Sequence, residues 1–171
     1  RHRDELKRLS VTDPLTGLLN RHGFDEAVQR RMKVDASLPC VGLQMDIDDF
    51  KFINDLYGHD VGDQALKTLA EDLRQHFGAQ AILSRSGGDE FSAVLIGKTV
   101  EEARADIEAF TSAARYVCAN GSCYPFYISL GYAEYPKDQR EISQLIRCAD
   151  MALYAVKLHG KQSCAAYQST Y

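Results

Sequence analysis

Apolar and polar positions alternate along this chain in two ways, one typical of helices and one typical of strands. The clearest helix is 63–77, because leucine and alanine recur there at three- and four-residue intervals on one face. The same periodicity predicts further helices over 24–33, 49–57, 99–118 and 141–159. Short apolar runs predict strands over 41–47, 81–86, 91–96 and 126–134.

Turn-forming residues separate these elements. Gly87 and Gly88 join two of the predicted strands into a β-hairpin. Thr12 or Asp13 is predicted to cap a helix beginning near Pro14.

Two glycine-containing stretches are predicted to break helical structure. Gly23 should interrupt the chain ahead of the helix at 24–33, and Gly58 to Gly62 should form a loop. The mixed order of strands and helices predicts one α+β domain, with a mostly antiparallel central sheet surrounded by helices.

The composition fits one globular domain. The 171 residues are 45% hydrophobic and 26% charged, and their net charge of −4 offers no general attraction to a nucleic-acid polymer or a membrane surface. No apolar run approaches the roughly 20 residues that span a bilayer. Leu6 and Leu9 predict that 1–11 is the end of a connector helix from a missing upstream region, with the domain over 12–171. Membrane attachment is therefore expected only through missing segments.

The cysteines indicate a reducing compartment. Five occur at scattered positions, namely Cys40, Cys118, Cys123, Cys148 and Cys164. No Cys-x-x-Cys pair is present, so neither a zinc site nor a disulfide framework is expected. The sequence predicts free thiols in a reducing cytosol.

Carboxylates lie where the apolar run 41–47 ends. Asp46 and Asp48 are two residues apart, so they share one face of an extended chain. A buried carboxylate needs a cation or hydrogen bonds, and Mg²⁺ prefers a few carboxylate oxygens completed by water and phosphate. The alternative is that Asp48 or Asp49 merely caps the next helix. That alternative is weaker for Asp46, which lies inside the apolar run.

The Gly-Gly turn is followed directly by two acids, Asp89 and Glu90. Glycines there permit positive φ angles and a close approach of the backbone. A plain tight turn with solvated acids is the alternative. Adjacent antiparallel strands lie about 4.8 Å apart. If strand 41–47 neighbours the hairpin, Asp46 and Asp89 can therefore bind one divalent cation.

Three lysines are candidates for binding phosphate. Lys51 follows the acidic cluster by one helical turn, and Lys157 and Lys161 lie four residues apart near the end of the last helix. Their alternative role is ordinary positive charge at a helix C-terminus. A triphosphate beside a metal ion needs such charges.

Taken together, these motifs resemble the GGDEF family of diguanylate cyclases, from about Thr12 to about Ser163. The matching segments are TDPLTGLLNR at 12–21, DIDDFKFIND at 46–55, GHDVGD at 58–63, RSGGDEF at 85–91, ISLG at 128–131 and ADMALY at 149–154. Several ordered motifs at matching spacing are far more specific than any one of them.

The resemblance implies a nucleotide-cyclase palm, a ferredoxin-like fold whose β-hairpin carries the GGDEF motif. It also implies that two subunits of a homodimer face each other, each with one GTP and with Mg²⁺ (or Mn²⁺ in its place). The subunits condense two GTP into cyclic di-GMP and release pyrophosphate. The expected location is the cytoplasm, with any membrane anchor elsewhere in the parent protein.

The resemblance assigns roles to individual residues. The metal ligands would be Asp46, Asp89 and the Ile47 carbonyl. Catalytic roles would fall to Asp89, Glu90, Arg85 and Lys51, with Arg85 balancing charge and Glu90 acting at the metal or the attacking hydroxyl. Substrate binding would fall to Phe50, Asn54, Asp63, Gly87, Gly88, Lys157 and Lys161, with Asn54 and Asp63 on the guanine edge.

Two sites, comprising three residues, depart from the family pattern. The usual Arg-x-x-Asp site of product inhibition corresponds here to Gly78 and Ala81, so no feedback binding is expected at that place. Lys161 replaces a usual arginine, which keeps the charge but loses bidentate geometry.

Four hypotheses stay open. The chain is either an active cyclase or a catalytically inactive GTP-binding regulatory domain of a larger signalling protein. It is otherwise an unrelated Mg²⁺-dependent phosphotransferase or a binding-only module. Every acid that the cyclase chemistry needs is present, which favours the first. Guanine selectivity and metal dependence separate the rest.

Overall fold

The computed structural model describes residues 10–171, so the predicted connector helix with Leu6 and Leu9 lies outside the described residues. In chain order the elements are α1 (Arg21–Val34), β1 (Cys40–Ile47), α2 (Phe50–Tyr57), α3 (His59–Phe77), β2 (Ala81–Gly87), β3 (Glu90–Ile96), α4 (Val100–Ser112), β4 (Arg115–Ala119), β5 (Ser122–Phe126), β6 (Ile128–Tyr135), α5 (Leu145–Leu158) and β7 (Cys164–Ala166). Single 3₁₀ turns at Gly78–Gln80 and Ile142–Gln144 precede β2 and α5.

A five-stranded sheet forms the centre of the domain, with strand order β2-β3-β1-β6-β7. Its pairings are antiparallel except for the parallel pair β6–β7. All eight residues of β1 are buried, which explains why this strand is an unbroken apolar run rather than an alternating one. The predicted α+β fold and the predicted hairpin are both confirmed.

Helices cover both faces of this sheet. On one face, Leu43 and Met45 of β1 share a core with Leu66 and Leu69 of α3. On the other face, Phe24 of α1 packs with a smaller cluster of sheet residues, and α5 lies along β6. Because strand side chains alternate between faces, Asp46 projects toward the α5 side.

The predicted helix near Pro14 is instead a turn. The carboxylate of Asp13 accepts hydrogen bonds from the backbone N–H of Thr16 at 2.9 Å and from its hydroxyl at 2.7 Å. This local bonding replaces the helical ladder, as aspartate side chains often do.

Gly23 does not interrupt α1 but lies inside it. A Cβ atom at Gly23 would lie 2.2 Å from the carbonyl oxygen of Val11, so the glycine permits close packing of the preceding segment. The N-cap of α1 is Asn20, whose side-chain oxygen accepts from the Gly23 N–H at 2.8 Å.

The predicted loop over Gly58 to Gly62 is mostly helical. Only Gly58 departs from helical geometry, with φ of +95°, and α3 begins at His59. The glycine at 62 is therefore a helical residue, and its lack of a side chain serves packing rather than a turn.

The helix predicted over 99–118 ends early, at Ser112. The rest forms β4, which pairs with β5 in a separate two-stranded sheet. Asn120 and Gly121 make the turn, both with positive φ. An Asn-Gly dipeptide is the strongest short-range signal of a hairpin, and it was the signal available in the sequence.

The prediction of five free thiols is wrong for one pair. Cys118 and Cys123 are directly opposite in the register of β4 and β5 and are joined by a disulfide bond. Cys40, Cys148 and Cys164 are free. The sequence spacing concealed the pair because only the hairpin turn brings the two cysteines together.

We expect Gly131→Ala to lower the free energy of unfolding by about 1–3 kcal/mol, measured by urea denaturation. The added methyl group would lie 2.1 Å from the Ala149 carbonyl oxygen and 2.2 Å from the Leu153 nitrogen, which forces α5 away from β6. The matched control is Gly78→Ala, where φ is −52° and nothing lies within 4 Å. This control should leave stability unchanged or raise it by about 0.5 kcal/mol. Equal effects of the two substitutions would contradict the proposed packing.

Candidate active site

Asp46 lies at the end of the central strand with only 7% of its surface exposed. One carboxylate oxygen, Oδ2, forms an ion pair with the ammonium group of Lys157 on α5. The other, Oδ1, is buried and has no hydrogen-bond partner among the described residues. The site therefore contains a buried oxygen that can still accept a cation.

Electrostatic conditions at Asp46 are unusual. Burial raises the pKa of Asp46 to about 6 against the opposing effect of Lys157, and the charges of Asp89 and Asp48 raise it further. Burial also disfavours the charged form of Lys157. The hydrogen bond and charge of Asp46 outweigh that effect and raise the pKa of Lys157. The pair is thus held together by strong attraction in a partly desolvated place.

The β2–β3 hairpin brings two further acids beside Asp46. Glu90 is the direct register partner of Asp46 across β1 and β3. Burial raises the pKa of Asp89, while its own backbone N–H, Lys157 and the Ile47 N–H favour its charged form. Gly88 has φ of +53°, a conformation that glycine adopts readily. Strand β1 therefore neighbours the hairpin, as a cation shared by Asp46 and Asp89 would require.

Arg85 fixes the hairpin to the turn at the start of the domain. Its Nε donates to the Gly88 carbonyl at 2.8 Å, and its Nη1 forms an ion pair with the Asp13 Oδ1 at 2.8 Å. Both side chains of this pair are largely buried, with 16% and 12% exposed. Asp13 was not singled out as a site residue, although it lies in the opening motif.

Asp48 has a structural role that the sequence did not specify. Its carboxylate accepts from the Ser129 hydroxyl at 2.6 Å and from the Gln162 N–H at 3.0 Å. It therefore ties the end of β1 to β6 and to the segment after α5. Neither Asp48 nor Asp49 caps α2 through its side chain, because Asp49 adopts a left-handed conformation there without such a bond.

Lys161 lies over the start of α2. Its ammonium group contacts the Asp49 Oδ1 at 2.8 Å, and this hydrogen bond raises the pKa of Lys161. The side chains of Lys51 and Glu90 are exposed and make no hydrogen bond or ion pair with any residue from 10 to 171. The three lysines thus differ in how firmly each is already held.

Asn54 and Asp63 come from adjacent helices. Asn54 lies on α2 and leans on Gly62 of α3, where a Cβ atom would lie 1.8 Å from its side-chain oxygen and 3.4 Å from the ring of Phe50. Asp63 follows on α3 and is exposed. The contact with Gly62 therefore positions Asn54 and Phe50 together beside Asp63.

The oxygen ligands at the end of β1 fit a hard divalent cation. The residues that could hold such a cation are Asp46, through its unpartnered Oδ1, the neighbouring acid Asp89, and Ile47 through its backbone carbonyl. Within residues 10–171, no set of three or more His, Cys, Asp and Glu side chains forms a metal cluster. Carbonyl, water or phosphate oxygens would have to complete the coordination, which is the usual arrangement for Mg²⁺.

A family model for the diguanylate cyclase GGDEF domain matches residues 10–163. The chain belongs to the GGDEF family. Among curated relatives of this GGDEF domain, a diguanylate cyclase from Vibrio cholerae is 31% identical over 179 residues, covering 98% of the chain and 53% of the relative. The bifunctional diguanylate cyclase/cyclic di-GMP phosphodiesterase MucR from Pseudomonas aeruginosa is 34% identical over 177 residues, covering 97% and 25%.

Solved structures agree with this assignment. The coiled coil and GGDEF domain of DgcB from Caulobacter crescentus, in complex with c-di-GMP, superposes with a TM-score of 0.85 at 26% identity. The match covers 96% of this chain and 90% of that one. The chain spans about half the length of several curated relatives that it matches. No helix within its described residues is both long and apolar enough to cross a bilayer.

We expect Arg85→Lys to lower the free energy of unfolding by about 2 kcal/mol, because lysine cannot bond to both the Gly88 carbonyl and Asp13. Amide hydrogen exchange at 87–90 should also accelerate. Arg30→Lys is the matched control, since Arg30 is 71% exposed and only pairs with Glu26 on the surface. This control should change stability by less than about 0.5 kcal/mol. An unaltered hairpin in Arg85→Lys would show that another contact holds the hairpin.

Proposed function

We propose that this GGDEF domain is a diguanylate cyclase, which condenses two GTP into cyclic di-GMP and releases two pyrophosphates. The observation that carries the proposal is the placement of Asp89 beside the buried, partly unpartnered carboxylate of Asp46. Two acids so close repel each other, and a bound divalent cation is the natural compensation.

The metal ion would be Mg²⁺, with Mn²⁺ as an alternative, and its ligands would be Asp46, Asp89 and the Ile47 carbonyl. When bound, it supplies Lewis-acid stabilisation of phosphate charge. Glu90 is the register partner of Asp46, and its side chain makes no hydrogen bond or ion pair with residues 10–171. It is therefore available to accept a hydrogen bond or a proton from an attacking hydroxyl.

Positive charge for the triphosphate comes from Lys157 and Lys161, with Lys51 at the start of α2. Lys157 and Lys161 each already contact a carboxylate, Asp46 and Asp49 respectively. Phosphate oxygens can take the place of these partners while the cation neutralises Asp46. Gly87 and Gly88 leave room for the triphosphate, since a Cβ at either would meet nothing within 4 Å.

Guanine selectivity would come from Asn54 and Asp63, with Phe50 beside them. The carboxylate of Asp63 can accept from guanine N1–H and N2–H₂, groups that adenine does not present. The wrong base would leave the Asp63 carboxylate without these donors in the complex, and that loss supplies the discrimination.

The reaction itself needs two copies of the domain. Each GTP offers its 3′-hydroxyl to the α-phosphorus of the other, and pyrophosphate leaves twice. A homodimer is therefore part of the proposal. Arg85 holds the hairpin through Gly88 and Asp13, so its contribution to charge balance would act from a fixed position.

The usual product-inhibition residues are replaced in this chain. Gly78 begins the 3₁₀ turn before β2, and Ala81 begins β2 itself. Neither offers a guanidinium group or a carboxylate, so we propose that cyclic di-GMP does not bind at this position.

The test is incubation of concentrated protein with GTP and Mg²⁺ and detection of cyclic di-GMP by mass spectrometry, with Asp89→Ala in parallel. Product from the wild type and a loss of at least about a hundredfold in the variant would support the cyclase and the metal site. The inactive regulatory alternative predicts Mg²⁺–GTP binding by a proven dimer without product. Product from Asp89→Ala at the wild-type rate would overturn the assigned metal site.

A second experiment tests the guanine site. Gly62→Ala should displace Asn54 and weaken GTP binding about tenfold, equivalent to about 1.4 kcal/mol, with little effect on ATP binding. Calorimetric titration in the presence of Mg²⁺ provides the measurement, and Gly78→Ala is the control with an unobstructed site. Unchanged GTP affinity in Gly62→Ala would remove Asn54 from the proposed guanine site.

A further inference from the structure

The β4–β5 hairpin carries a disulfide bond on its solvent-facing side. Cys118 and Cys123 are both exposed, whereas the neighbouring register pair faces inward: Val117 is part of the main core cluster and Tyr124 packs against it. Exposure makes this bond accessible to thiol–disulfide exchange. Of the free cysteines, Cys40 and Cys148 are buried, so they lack that access.

The inner side of the hairpin contacts the helix that carries the proposed nucleotide residues. The ring of Tyr124, adjacent to Cys123, stacks on the ring of Tyr57 with centroids 4.0 Å apart and planes 24° apart. Tyr57 is the last residue of α2, the helix that also contains Lys51 and Asn54. A shift of β5 would therefore also move the end of α2.

A second contact leads from β5 to the turn that follows β1. The carbonyl of Tyr127, just after β5, accepts a hydrogen bond of 2.8 Å from the Asp48 N–H. Asp48 directly follows Ile47, whose carbonyl is a proposed metal ligand. The hairpin thus reaches the proposed site both through a side-chain stack and through the backbone.

The base of the hairpin is anchored independently of the disulfide. Arg115 is 95% buried, pairs with Asp72 at 2.8 Å and donates to the Phe110 carbonyl at 2.8 Å. Loss of the disulfide would therefore loosen the outer half of the hairpin, from Cys118 to Tyr124, without unfolding its base. A two-stranded hairpin is only marginally stable by itself, so the cross-link matters most there.

We propose that the Cys118–Cys123 disulfide is a reversible redox switch that controls how firmly this domain binds GTP. A cellular dithiol would reduce the bond, so that two electrons and two protons pass to the cysteine sulfurs and the dithiol becomes a disulfide. The inference rests on the proposed function, because a GTP-using domain works where thiols are kept reduced. In such a compartment a disulfide is usually transient or redox-sensing. Reduction would free Tyr124 from Tyr57 and loosen the end of α2, the helix that carries Asn54.

The experiment compares the whole chain, oxidised and then treated with dithiothreitol, by calorimetric titration of GTP with Mg²⁺. We expect reduction to weaken GTP binding about fivefold. The Cys118→Ser/Cys123→Ser double variant should match the reduced protein under both conditions. Cys164→Ser, which changes a free cysteine, should keep the response. Tyr124→Leu in the oxidised protein should match the reduced state if the ring stack transmits the effect.

The outcomes separate the switch from the function on which it rests. Equal GTP affinity in both redox states, with the disulfide confirmed by intact mass, overturns the switch and leaves the cyclase proposal in place. Absence of GTP binding in either state overturns the cyclase proposal instead. In that case, nuclear Overhauser contacts between the Tyr57 and Tyr124 rings, measured before and after reduction, test whether the disulfide holds the two rings together. Contacts that persist after reduction overturn the proposed coupling.

Discussion

Burial of the Asp46 carboxylate is the constraint on which the arrangement of this domain depends. A carboxylate removed from water needs a cation close by, and Lys157 provides one from the end of α5. This pairing requires α5 to lie almost on the sheet. Gly42 and Gly131 permit that approach, since a side chain at either would collide with α5. The close packing of α5 on the sheet and the ion pair in the site therefore both follow from the buried charge of Asp46.

Hydrogen bonds and ion pairs of charged side chains hold the loops around this charge. Asp48 joins β1, β6 and the segment after α5 through two hydrogen bonds, and Arg85 joins the hairpin to the turn at Asp13. Each contact uses a charged group in a partly or fully buried place, where hydrogen bonds are strong and their loss is costly. Such a framework keeps the acids in position before any ligand arrives, which is what phosphoryl transfer chiefly requires of a protein.

The sequence predicted those features whose cause is local. The periodicity of α3 and the Gly-Gly hairpin were visible because each depends on residues near one another in the chain. The end of α4 was missed because β4 depends on pairing with β5 and on burial of Val117 and Phe126 in the core. Gly23 and Gly62 were interpreted as breakers, although each is buried in a helix against a specific neighbour. A sequence does not reveal that neighbour, since only tertiary packing brings it close.

The residues of the site likewise divide into those with a local signal in the sequence and those that only tertiary packing reveals. Asp46 was identified because an acid at the end of an apolar run is anomalous, but its partner Lys157 could be named only as a phosphate ligand. A domain that merely bound GTP would need the lysines, Asn54 and Asp63. It would not need a second acid beside Asp46, because burial raises the pKa of both carboxyls and the charge of Asp89 raises that of Asp46 further, although Lys157 favours the charged form of both. Retaining Asp89 there is unfavourable unless a bound cation compensates it, and that imbalance is the physical reason to favour catalysis over binding alone.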